Sequence, residues 1–171
     1  MNVLLEWEYR AQEEAHLFNP AFCGALTYEF VKAFTKASGQ EGAELPLAFC
    51  ALPISLHWRT RKKLPASIRT SVYTWLQRNP EVLVGYGIRA KNLVPFIREG
   101  ISFGAARKTL AFTELGHIKL GAEKAVFNPK FIQDSATHEV GEIILSTRMI
   151  GRWFASAGTT TTTLAAWGIT V

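Results

Sequence analysis

A single aspartate, Asp134, stands among 171 residues. Nucleases and polymerases that hold divalent metals need two or more convergent carboxylates, so an Asp-centred metal site is hard to assemble here, and the glutamates are scattered. Cysteine is nearly as scarce. Cys23 and Cys50 each lie inside an apolar run, where a free thiol behaves as a small hydrophobe, and a reduced, cytoplasmic setting is expected. The apolar run Leu45–Leu56 is too short to span a bilayer and contains Pro53, so no transmembrane helix is expected. MNVLLEWEYR has no basic start followed by a long apolar stretch, which argues against a signal peptide. Neither GxxxxGK[ST] nor GxGxxG occurs, which removes the phosphate-cradling loops those patterns build, and no cofactor is expected.

What the chain does have is apolar surface. Hydrophobic residues make up 48% and charged residues 19%, the balance of a globular domain with some apolar area left for another chain to cover. The length fits one domain over residues 1–171 with a real core. The net charge of +5 hides an asymmetry: residues 1–50 carry three basic and seven acidic side chains, residues 51–171 sixteen and seven. A chain polarised in this way can stack on copies of itself as a homo-oligomer, bind an acidic protein or touch a phosphate backbone. An ordinary solvated basic face is the plain alternative.

Local signals place the elements. Asn19-Pro20 caps and opens a helix carrying Phe22, Leu26, Phe30 and Phe34 at four-residue spacing, with Ser38-Gly39 as its stop. For Leu45–Leu56 a short kinked helix is preferred to a buried strand. Ser67 is expected to cap a helix with Ile68, Val72, Trp75 and Leu76 inward, and Asn79-Pro80-Glu81 to open another reaching about Asn92. A third runs from about Val94 to Lys108, and the alternation in Thr109–Gly121 reads as a hairpin. Three helices and a hairpin follow the order of a winged helix-turn-helix, over residues 67–121. The fold expected is therefore mainly α with a small β-hairpin (α+β), a helical domain containing a winged-helix-like unit. A long helix from Thr137 to Ala157 and a short one capped by a residue of Thr159–Thr163 complete it.

The chain is organised around Leu45–Asn79, where an apolar half runs into a segment carrying Arg59, Arg61, Lys62, Lys63, Arg69 and Arg78 without an acidic residue. Trp58, Arg59, Arg61, Lys62 and Lys63 are the expected contact residues for a partner or a DNA backbone, joined by Arg107, Lys108 and Lys119 of the third helix and wing. Arg98 and Arg107 are nine residues apart and so fall on opposite helix faces, which argues against base readout. Catalytic constellations are thin. His138 and Glu142 could share a helix face as metal ligands, but acids at a helix start explain them better. Cys23 or Cys50 with His57 lacks a third, orienting group. Gly85-Tyr86-Gly87 and Gly100–Gly104 read as points of close backbone approach.

Several stretches resemble a known family: NPAF at Asn19–Phe22, LPLAFCALPISLH at Leu45–His57, TRKKLP at Thr60–Pro65, the run Ser71–Glu81 ending in WLQRNPE, and RAKNLVPFIRE at Arg89–Glu99. In this order they resemble the middle component of bacterial three-component systems built around an ABC-type ATPase, from about residue 10 to the C-terminus. The resemblance implies a non-catalytic adaptor in an anti-phage defence complex. It would bridge an SMC-like ABC ATPase and an effector encoded nearby, with a winged-helix part and TRKKLP as its contact. It transfers no catalytic residues. A free-standing winged-helix protein on double-stranded DNA is the alternative, and the Thr159–Thr163 run has no counterpart in the resemblance.

Overall fold

A computed structural model describes residues 4, 9–11 and 18–169. In chain order it contains α1 (Pro20–Ser38), α2 (Leu45–Leu56), α3 (Trp58–Arg61), α4 (Val72–Arg78), α5 (Tyr86–Ala106), strands β1 (Leu110–Phe112) and β2 (Ile118–Leu120), α6 (Lys130–Gln133), α7 (His138–Ala155) and α8 (Thr160–Ala166). It is mainly helical with one small antiparallel hairpin, as the sequence pattern requires.

Helix α1 is the axis of the molecule. The Asn19 side chain accepts from the Ala21 N–H at 2.8 Å, Pro20 fills the first turn, and Gly39 closes the helix in the left-handed region at φ 73°. Because Leu26, Phe30, Val31 and Phe34 cover more than one face, α1 must be buried on several sides, and it lies between α5 and α7. Glycines let both neighbours in. A Cβ on Gly24 would fall 2.7 Å from the Gly100 carbonyl oxygen, and one on Gly151 would fall 2.7 Å from that of Phe30. Helix α2 packs on α5 and α7 with Pro53 inside it, β2 lies along α1, and an additional bridge joins Ile118 to Ala43 in the loop after α1.

Two expectations change. Ser71, not Ser67, caps α4 through the Thr74 N–H, and Asn79-Pro80-Glu81 opens only a 3₁₀ turn, Pro80–Leu83, because Asn79 turns its amide back to the Trp75 carbonyl at 2.9 Å. The break expected near Asn92 is absent: α5 runs unbroken through Pro95. The carbonyl that Pro95 leaves without a donor belongs to Lys91, an exposed residue where water can take the bond. Residues 67–121 accordingly hold two helices and a hairpin where three helices and a hairpin were expected, and that hairpin is pinned to α1 and Ala43.

The far end of the core is aromatic. The Trp75 ring meets Trp153 edge-on at 5.4 Å and Trp167 at 6.2 Å, and Trp167 lies 4.8 Å from Tyr86. The Thr159–Thr163 run is structural: the Thr159 side chain caps α8 through the Thr162 N–H, and buried Thr163 returns a hydrogen bond to the Thr159 carbonyl at 3.0 Å. Among the described residues, no helix is long and apolar enough to cross a membrane.

Candidate interaction surface

The basic segment is held as a shaped loop. His57 caps the one-turn α3, its Nδ1 accepting from the Thr60 N–H at 3.3 Å and pairing with the Thr60 hydroxyl at 2.8 Å. That leaves the ring neutral, and burial, followed by the Arg89, Arg59 and Arg61 charges, pushes its pKa below the usual imidazole value. The Trp75 indole donates to the Lys63 carbonyl at 3.1 Å and fixes the far end of the loop.

Within that frame the expected contact residues separate. Trp58 is 57% exposed. Arg59 is exposed and makes no hydrogen bond or ion pair with a described residue. Arg61 is turned inward, with 2% of its side chain accessible: it donates to the Ser55 carbonyl at 2.9 Å and to Glu139 at 2.7 Å, and faces Glu142 at 3.6 Å. Lys62 pairs with Glu142 at 2.8 Å, and Lys63 with Glu81. Those lysines hold the carboxyls of Glu142 and Glu81 below the usual range. Within TRKKLP the cations are thus met by acids from elsewhere, whereas Arg59 beside it, and Arg69 and Arg78 further along, are exposed without a partner among the described residues.

Arg59, His57 and Lys63 line a cavity of about 410 Å³ with Glu81, Arg89 of α5 and Val84 just before that helix. Arg89 holds the rim in place by donating to the Val84 carbonyl at 2.9 Å and the Val82 carbonyl at 3.3 Å. Val84 is 74% exposed there, so the cavity mouth is apolar as well as basic. Arg107, Lys108 and Lys119 are not part of this surface. Arg107 lies at the other end of α5, about 27 Å along the axis from Arg89 at 1.5 Å per residue. Its guanidinium sits 5.3 Å from the Phe103 ring, Lys108 is exposed in the left-handed region at φ 58°, and Lys119 pairs with Glu41. Sequence reasoning did not include Val84 and Arg89; the apolar-basic repeat around Gly85 was the signal that could have found them.

The groups considered for chemistry are occupied otherwise. Both cysteines are fully buried, and burial pushes each thiol up to about 12. The Tyr86 hydroxyl donates to the Cys50 carbonyl at 2.8 Å, and His57 serves as a cap. His138 and Glu142 are 3.8 Å apart, with Glu142 already on Lys62. No group of three or more metal-ligating side chains occurs among the described residues.

A family model described as "ABC-three component (ABC-3C) system Middle Component 3" matches residues 7–171. No curated protein and no solved structure matches the chain significantly.

Proposed function

The chain belongs to the middle-component family of ABC-three component systems, and from that premise we propose that it bridges an SMC-like ATPase and an effector in a complex that defends against phage or other invading DNA. Middle components are non-catalytic adaptors of a multi-subunit system. The observation that carries the reading to this chain is the surface around Arg59. A rigid, capped loop presents an exposed indole and one uncommitted guanidinium beside the apolar mouth formed by Val84. Exposed aromatic and arginine side chains on a fixed backbone are the residue types that dominate protein–protein binding energy.

A duplex backbone is the second reading for the same surface, and it has less to draw on. Phosphate contact needs several uncommitted cations on one surface, whereas Lys62 and Lys63 already meet carboxylates, the exposed Arg69 and Arg78 do not line the cavity beside Arg59, and Arg107 and Lys108 lie at the far end of α5. Co-expression with the ATPase and effector encoded beside it is the test. The expected outcome is one stable ternary complex that loses one partner on Trp58→Ala with Arg59→Glu. A well-behaved monomer that ignores both proteins would overturn the reading. Retention on duplex DNA that weakens steeply with salt and disappears with Arg59→Glu would favour the second.

A further inference from the structure

A bridge needs two faces, and α5 separates two. At about 100° per residue, Arg89 lies on one flank of the helix, and Gly87, Lys91, Val94 and Arg98 lie between about 140° and 200° away on the other. That second flank floors an open groove of about 470 Å³. Leu45 and Phe49 of α2 form one wall, and Leu164 of α8 with Ile169 forms the other. No acidic residue lines it among the described residues.

Its charges are specific in place. Lys91 and Arg98 stand on the rim, and neither makes a hydrogen bond or ion pair with a described residue. They are seven residues apart on one helix, so they share a face and stand about 10 Å apart. Between them the floor is narrow: Ala90 and Val94 offer short side chains, and a Cβ built on Gly87 would meet nothing within 4 Å. The floor positions 87, 90, 91, 94 and 98 recur with the period of a helix-packing seam, although no helix among the described residues fills it.

We propose that this groove docks an acidic amphipathic helix of another subunit, its apolar stripe lying on Gly87, Ala90 and Val94 and two of its carboxylates, about seven residues apart, meeting Lys91 and Arg98. The seven-residue spacing is the argument for a helix over a small apolar acid. A compact ligand cannot reach both cations about 10 Å apart, whereas a helix laid along α5 repeats its own side chains at that distance. Two cations without a partner among the described residues, beside an apolar floor, select the sign of the partner's charge. The proposal deepens the adaptor reading, and its failure is distinguishable: a ternary complex that forms and ignores the groove sinks this inference alone.

Two measurements test it. In the first, the full chain is titrated with a labelled synthetic helix of about 15 residues, leucine on one stripe and glutamates at i and i+7, against the same helix with lysine for glutamate. The acidic helix is expected to bind at least tenfold more tightly, and Lys91→Glu with Arg98→Glu to invert that preference. Equal binding of the two helices, no binding of either, or displacement by dodecanoate while the acidic helix has no effect would each overturn the proposal. In the second, Gly87→Leu fills the floor in the co-expressed complex. Because a Cβ there would meet no other part of the described chain within 4 Å, the variant is expected not to lower the melting temperature of the parent while losing one partner. A Gly87→Leu complex of unchanged composition and affinity would count decisively against the groove.

Discussion

Gly87 and Gly100 belong to the same helix, thirteen residues and about 220° apart, and they do opposite things. Around Gly100 the helix is closed: an added Cβ would sit 2.6 Å from the Cys23 Cβ and 2.9 Å from the Gly24 backbone nitrogen. At Gly87 an added Cβ would meet no other part of the described chain within 4 Å. One glycine brings two backbones of this chain together, and the other keeps a groove empty. The difference teaches that a glycine in an apolar helix reports close approach only where a partner backbone is present in the same molecule. Where none is present, the approach is left for another.

The sharpest way to break that comparison is to give both positions a side chain. Gly100→Val should destabilise the fold by about 3 kcal/mol or more, since the neighbours that must yield include backbone, and lower the melting temperature by about 6–12 °C for a chain of this size. Gly87→Ala should do the reverse, adding up to about 0.5 kcal/mol by removing a flexible residue from the first turn of the helix. Thermal melts of the two variants side by side are sufficient. Similar losses at both positions would mean that the groove floor is packed after all.

The same contrast between inward and outward recurs two residues apart in the basic loop. Arg61→Ala removes hydrogen bonds to the Ser55 carbonyl and to Glu139, and should reduce stability by about 2–3 kcal/mol in urea titrations. Arg59→Ala should leave stability within about 0.5 kcal/mol while weakening the partner complex. If both variants unfold equally, Arg59 belongs to the fold and the proposed surface loses its charge.

Much of the fold was legible because its signals are local. Asn19-Pro20, Ser38-Gly39 and the hairpin within Thr109–Gly121 are where the pattern put them, and Thr159 is the one of the five threonines that caps the last helix; each signal acts within a few residues. The boundaries that moved depended on choices between neighbours. Ser71 outcompeted Ser67 as a cap, and Pro95 was tolerated because Lys91 faces water. The surface was read least well, since its decisive contacts join Arg61 and Lys62 to acids 78 and 80 residues away. Glu139 and Glu142 were noticed as acids at a helix start, but nothing in their spacing says which cations they will meet. Gly85-Tyr86-Gly87 was read as one close approach, whereas Gly85 is a left-handed turn residue and Gly87 opens onto the groove.

The smallest expected effect compares the flanks by chemistry. Cys23 packs against Gly100, and Cys50 receives the Tyr86 hydroxyl at 3.1 Å. Burial pushes both thiols from an ordinary 9.0 to about 12, so neither should react with a disulfide reagent in the native protein, and both should react when it unfolds. The pH dependence follows from the direction of those shifts. The unfolded chain ionises its thiols first, so stability is intact below about pH 9 and falls as pH rises from there toward about 12. A thiol placed on the open flank by Gly87→Cys has no such shelter and should be labelled at once at neutral pH, with Cys23 and Cys50 still silent. Occupying the groove with the acidic helix should then slow labelling at position 87 and leave the buried pair untouched. Fast labelling of Cys23 in the folded chain would mean that α1 and α5 part easily, and that the closed flank is no more closed than the open one.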